Sequence, residues 1–129
     1  MRNLKYNPTS LINHCKFKRV KILYDSHGLR VTYCMDKNES ETSNITAFSF
    51  KFTNYTTSVL QKVNFQTLVA HPMQLKMEPI SSDSINTNSF STQRIQIFNP
   101  NKQPFHVKYQ IAFSKDNVPT IEQGQTILT

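Results

Sequence analysis

From residue 19 onward, hydrophobic and polar residues alternate with a period of two, and helical spacing is nowhere sustained. Because successive side chains of a strand point to opposite faces of a sheet, this alternation predicts half-buried β-strands. The pattern predicts about eight strands, which are Val20–Tyr24, Leu29–Met35, Ile45–Thr53, Val59–Val69, Met73–Met77, Arg94–Phe98, Phe105–Phe113 and a short last run near Thr120–Leu128. The chain is therefore predicted to be all-β.

Two of the predicted strands carry a strict apolar stripe. Phe48, Phe50 and Phe52 share one face of the third strand, and alternate residues of the range 105–113 form a second stripe. Two such faces bury their side chains by packing on each other, and the turn residues between the runs recur at intervals typical of an antiparallel sandwich. We therefore predict two packed sheets.

Residues 1–18 lack the alternation and include Pro8, so we predict a linker or hinge end that is poorly ordered. Residues 19–129 are predicted to form the β-sandwich domain, with the Ser/Asn-rich range Ser81–Ser91 as an internal loop.

Positive charge is concentrated at the N-terminus of the chain. The first thirty residues hold seven Lys or Arg side chains against Asp25 alone, whereas the rest of the chain is nearly balanced, within a net charge of +7. A basic segment can contact anionic lipid or nucleic acid, but a solvated leader is the commoner role of such runs. We favour the solvated leader and expect no nucleic-acid partner.

Cysteine content and the N-terminal sequence indicate a cytosolic protein. Cys15 and Cys34 are too few for a disulfide scaffold and lack zinc-binding spacing, so we expect reduced thiols and no metal site. No signal-peptide core or membrane-spanning apolar stretch occurs. Three glycosylation sequons, at Asn38, Asn44 and Asn54, support an alternative, an extracellular adhesion or structural sandwich.

The sequence offers no catalytic pattern. The four histidines are far apart and show no metalloprotease spacing, and two glycines cannot build a phosphate-binding loop. Cys34 is expected to be a small buried residue of its strand and not a nucleophile. We therefore expect neither enzymatic activity nor a cofactor.

Four segments, in order, resemble the ear (appendage) domain of γ-adaptin and of the GGA clathrin adaptors. They are Ser26–Val31, Val63–Met77, Pro79–Ser82 and Arg94–Gln103. The second contains a counterpart of the family's F-Q-x-A-V-P-K-x-x-x-L-x-L run, and the last resembles its N-P-x-K turn. The resemblance covers about residues 20–128.

The resemblance implies an immunoglobulin-like β-sandwich that binds short peptides of the form hydrophobic, Gly, acidic or Pro, hydrophobic. It also implies a parent adaptor complex, either an adaptor γ subunit or, as the close alternative, a GGA adaptor. The expected role is to recruit accessory proteins with acidic-hydrophobic motifs to clathrin coats. The expected location is cytoplasmic, on the trans-Golgi network, endosomes and coated vesicles, with membrane contact only through the coat.

Carried over position by position, the family's peptide site falls on nine residues of this chain. They are Leu68, Val69, Ala70, His71, Met77, Ile80, His106, Lys108 and Gln110. Relatives keep two arginines and a lysine on the strand that here carries the last three residues, so this chain has fewer permanent cations. The resemblance therefore implies a ligand with fewer acidic neighbours.

Overall fold

A computed structural model describes residues 19–36 and 44–129, so the predicted linker at 1–18 lies outside the described residues. The strands are β1 Lys21–Ser26, β2 Leu29–Met35, β3 Ile45–Asn54, β4 Leu60–Val69, β5 Gln74–Met77, β6 Phe90–Phe98, β7 Phe105–Lys115 and β8 Val118–Leu128. All neighbouring strands are antiparallel. One sheet has the order β1-β2-β3-β6-β5 and the other the order β4-β7-β8. The prediction of an all-β sandwich is confirmed.

The core lies between the two sheets and is built from the predicted stripes. The rings of Phe50 and Phe52 on β3 lie 4.8 Å and 5.5 Å, centroid to centroid, from the ring of Phe65 on β4. At the other end, the rings of Phe48 and Phe105 meet edge to face at 5.2 Å. Burying each phenylalanine contributes about 1.5–3 kcal/mol, so these contacts hold the two sheets together.

Strand β6 begins four residues before the predicted start, at Phe90. Its first inward-facing side chains are polar and give no hydrophobic signal. Ser91 Oγ donates to the Ser82 carbonyl at 2.7 Å, and Gln93 Nε2 donates to the Glu78 carbonyl at 2.9 Å. The predicted loop therefore ends before Phe90.

The side chain of Asn54, fully buried at the end of β3, holds the following turn. Its amide nitrogen donates to the Ser58 carbonyl at 2.8 Å and to the Ile85 carbonyl at 2.9 Å. Its amide oxygen accepts from both the backbone N–H and the hydroxyl of Thr56. One side chain thus bonds to four polar groups, three in the turn between β3 and β4 and one, the Ile85 carbonyl, between β5 and β6.

Strands β7 and β8 form a long hairpin that carries the outer face of the smaller sheet. The connecting residues Asp116 and Asn117 have φ values of 52° and 64°, as a two-residue type I′ turn requires. Opposite Tyr109 the strand carries Gly124, where a Cβ would lie 2.5 Å from the tyrosine oxygen. Only glycine leaves room for this ring.

Cys34 on β2 is fully buried, as expected, but it is disulfide-bonded. The expectation of a reduced thiol is therefore wrong for this residue, because spacing along a sequence does not show which thiols meet in space. Cys15 lies outside the described residues.

Candidate functional site

The outer face of the three-stranded sheet brings together most of the predicted site residues. Leu68 on β4 lies directly opposite Lys108 on β7, and Lys108 lies opposite Gln125 on β8. Leu68 is 69% exposed, the highest value for a large hydrophobic residue in the described part of the chain. This face therefore carries a solvent-exposed apolar side chain next to a cation.

A second row of the same face consists of amides. Gln66, Gln110 and Gln123 lie opposite one another on β4, β7 and β8. Gln123 Nε2 donates to Gln110 Oε1 at 3.0 Å, and Gln66 Nε2 donates to Asn64 Oδ1 at 3.0 Å. Because each amide keeps further donors or acceptors, this row can hydrogen-bond to the main chain of an extended peptide.

Two shallow depressions share Leu68, Lys108 and Gln125. One, of about 560 Å³, lies toward the amide row. The other, of about 500 Å³, lies toward the end of the sheet that carries Ala70 and His106. A ligand that occupied both depressions would cover Leu68.

The outer face is weakly basic. The outward-facing side chains of β7 and β8 include Lys108 and His106 but no carboxylate. The only carboxylate on these two strands, Glu122, faces inward, where its Oε2 lies 3.1 Å from Nδ1 of His27. An acidic peptide would therefore meet no like charge on these two strands.

Burial raises the pKa of Tyr109 above its ordinary value, and the charge of Glu122 raises it further. The pKa of Tyr24 on β1 is also raised, mainly by burial and then by Glu122. The Tyr109 hydroxyl donates to the Leu23 carbonyl at 3.4 Å and so links the two sheets beneath the outer face.

Three predicted site residues at or just after the end of β4, Val69, Ala70 and His71, lie in different environments. Val69 faces inward and is half-buried, although its edge lines the second depression together with exposed Ala70. His71 is exposed in the turn that follows and lines none of the depressions described here. Its bond to Pro72 is cis.

Met77 and Ile80 belong to a different surface, at the edge of the five-stranded sheet. They line a cleft of about 390 Å³ on the other side of β4, together with Phe65 and Gln93. Thr67 Oγ1 donates to Met77 Sδ at 3.6 Å and joins the two sheet edges. The nine predicted residues therefore divide into an outer face and an edge cleft, with His71 apart from both.

Sequence reasoning missed the contribution of β8. Gln123, Gln125 and Ile127 line the depressions, although β8 was predicted only as a short last run. Their alternation with inward-facing residues was visible in the sequence, but nothing in it showed that β8 lies beside β7 on the side away from β4.

Neither a metal centre nor a helix able to cross a membrane is found in the described ranges. No group of three or more His, Cys, Asp or Glu side chains in residues 19–36 and 44–129 could hold a metal ion. Over the same ranges, no helix has the length and apolar character needed to cross a bilayer.

Comparison with protein families matches residues 20–127 to the adaptin C-terminal domain. The AP-1 complex subunit gamma-1 of Mycosarcoma maydis is 31% identical over 96 residues, which are 73% of this chain and 10% of that protein. The AP-1 complex subunit gamma-2 of Arabidopsis thaliana is 26% identical over 106 residues, 81% of this chain and 12% of that protein. The chain thus spans about a tenth of these relatives.

Two solved structures have a similar fold. The GAE domain of yeast GGA1 superposes with a TM-score of 0.76 at 18% identity, over 86% of this chain and 99% of that one. The GAE domain of GGA2p from Saccharomyces cerevisiae gives 0.77 at 20% identity, over 86% and 98%. At these identities the likeness shows the fold.

Proposed function

The chain belongs to the adaptin C-terminal domain family, as an ear domain of the γ-adaptin and GGA type, and from this premise we propose that it is a peptide-binding module. Its outer face binds short peptides in which bulky hydrophobic residues stand beside acidic ones. The parent is the γ subunit of a clathrin adaptor. The module recruits accessory proteins to coats on the trans-Golgi network and endosomes, and it acts by binding and not by catalysis.

The exposure of Leu68 beside Lys108 carries this proposal. An apolar side chain that is two-thirds exposed gains free energy when a ligand covers it. The neighbouring ammonium group attracts a carboxylate on the ligand and sets its orientation. A hydrophobic anchor with an acidic neighbour satisfies both groups.

The amide row limits how acidic the ligand needs to be. Gln66, Gln110 and Gln123 offer hydrogen bonds to a peptide backbone but no charge. We therefore expect one acidic residue, placed opposite Lys108, to contribute most of the electrostatic attraction. Additional acidic residues should add little.

The edge cleft supplies a second apolar contact. A peptide that crosses β4 from the outer face places a second hydrophobic residue against Met77 and Ile80. The two contacts are small, so each domain should bind weakly, and several copies on one coat would bind by avidity.

Fluorescence anisotropy with three labelled peptides tests the proposal. The first has the pattern Phe-Gly-Asp-Phe with acidic flanks, the second replaces its acidic residues by amides, and the third replaces its phenylalanines by alanine. We expect the first to bind best, the second to bind several-fold more weakly at low salt, and the third to lose binding. Equal binding of the third peptide, or no binding of any, contradicts the proposal.

A further inference from the structure

The free edge of β8 differs from the other edge of the same sheet. β8 pairs with β7 through eleven consecutive residues, from Lys115↔Val118 to Phe105↔Leu128, without a register shift. Among the described residues, no backbone hydrogen bond outside the strand ladders uses a residue of β8. At the opposite edge, by contrast, β4 is partly closed by bonds from Leu60 to Ile85 and from Val63 to Asp83.

The hairpin turn fixes which amides face the free edge. In the two-residue turn, the Val118 N–H points to the Lys115 carbonyl, toward β7. Because directions alternate along a strand, the N–H and C=O groups of the odd-numbered residues 121, 123, 125 and 127 point outward. Pro119 fits this assignment, since its missing N–H would also point away from β7.

The usual protection of an edge strand is nearly absent here. Exposed edges are commonly blunted by lysines, bulges, prolines or inward-pointing charges. Residues 118–128 contain no Lys or Arg, and their one charged side chain, the inward-pointing Glu122, lies 3.1 Å from Nδ1 of His27. Only Pro119, near the start of the strand, interrupts the row of outward donors.

The sequence of this edge is nearly the same in both directions. Around Gly124 it follows the pattern Ile-x-Gln-Gly-Gln-x-Ile, from Ile121 to Ile127. If two copies align antiparallel about a two-fold axis at Gly124, Ile121 lies opposite Ile127 of the second copy. Gln123 then lies opposite Gln125, so that like side chains pair on one face.

The alternation of outward-pointing backbone groups along β8 is consistent with this register. The two glycines form a closely spaced pair without hydrogen bonds, and the outward-pointing residues on both sides form the bonded pairs. Four bonded pairs, each exchanging two N–H···O bonds, give about eight hydrogen bonds. Ile121 and Ile127, which are 64% and 44% exposed, cover each other across the axis.

We propose that β8 is a self-association edge, at which two copies of this chain pair antiparallel about Gly124 into one six-stranded sheet. The contact is isologous and closes at two copies. Both Leu68 faces then lie on the same side of the joined sheet. The dimer is a bivalent version of the module and binds clustered peptides more tightly than one copy does.

Opposite charges introduced at Ile121 and Ile127 test both the dimer and its register. Sedimentation equilibrium of the 129-residue chain, up to about 1 mM, measures the dimer dissociation constant. Ile121→Lys and Ile127→Glu should each raise it at least tenfold, because each places a charge against isoleucine. The double variant should recover the dimer, since the ammonium group of Ile121→Lys then faces the carboxylate of Ile127→Glu in the other copy. The two residues lie about 20 Å apart within one strand, so no internal pair forms.

Leu68→Lys is the matched control, an exposed hydrophobic residue replaced on the same face but two strands from the edge. It should leave the dimer intact and weaken peptide binding, whereas Ile121→Lys should weaken the dimer and leave peptide binding intact. Circular dichroism checks that each variant is folded. A wild-type chain that stays monomeric over the whole range, or a double variant as weak as the single ones, overturns the proposal. Neither result bears on the peptide site.

Discussion

Truncating Leu68 to alanine removes the most exposed large apolar side chain of the outer face without touching the core. Full burial of a leucine side chain is worth about 1.5–3 kcal/mol, and 69% of this residue is still exposed in the free domain. A peptide that covers it therefore gains about 1–2 kcal/mol, which the alanine variant loses. The dissociation constant should rise roughly 5- to 30-fold, while the free energy of unfolding should hardly change.

The assay is an anisotropy titration of one acidic-hydrophobic peptide against wild type and Leu68→Ala, with urea unfolding of both. Ile121→Ala is the control, because it truncates a side chain of similar exposure on the same sheet but outside the depressions. The reasoning fails if both variants bind alike, or if Leu68→Ala weakens binding only by unfolding the domain.

Four further changes test other parts of the account. Lys108→Gln should weaken an acidic peptide by about 1 kcal/mol and flatten its salt dependence; an equal loss for an uncharged peptide would argue against a charge contact. Met77→Glu should weaken binding by roughly 2–4 kcal/mol, because it puts an unpaired carboxylate in the edge cleft; wild-type affinity would exclude the cleft from the site. Above about pH 10, the free energy of unfolding should fall less steeply with pH in Glu122→Gln than in the wild type. The raised pKa of Tyr109 keeps its proton longer in the folded chain, so stability falls as pH rises through that pKa, and Glu122 contributes to the rise; urea unfolding across that range would show an unchanged slope if the reasoning is wrong. Asn54→Ala should destabilise the domain by about 1–3 kcal/mol, since the carbonyls of Ser58 and Ile85 each lose one of two donors and Thr56 loses its acceptor, and an unchanged urea midpoint would contradict this.

Alternation predicted the strands well because most inward-facing positions are apolar. The phenylalanines of β3 and the stripe of β7 are buried in the core, as the pattern predicted. The alternation does not extend to the start of β6, where Ser91 and Gln93 face inward but bond to backbone carbonyls. An inward-facing polar residue that bonds to the backbone in this way cannot be told from a loop residue in the sequence.

The candidate site was only partly predictable. Alternation correctly placed His106, Lys108 and Gln110 on one face of β7. It did not show that Leu68 and Met77 lie on different sheets, because the order of strands within a sheet depends on contacts between distant segments. For the same reason, the sequence did not predict that glutamines of β8 line the depressions or that Cys34 is disulfide-bonded.

The central claim, that the outer face of the three-stranded sheet binds peptide, is tested most directly by nuclear magnetic resonance. An acidic-hydrophobic peptide is titrated into the ¹⁵N-labelled chain, and the backbone amide shifts are mapped onto the strands. The account predicts that the largest changes fall around Leu68 on β4, Lys108 on β7 and Gln125 on β8. Changes confined to the outer face of the five-stranded sheet, around residues such as Lys51 and Thr92, would contradict it.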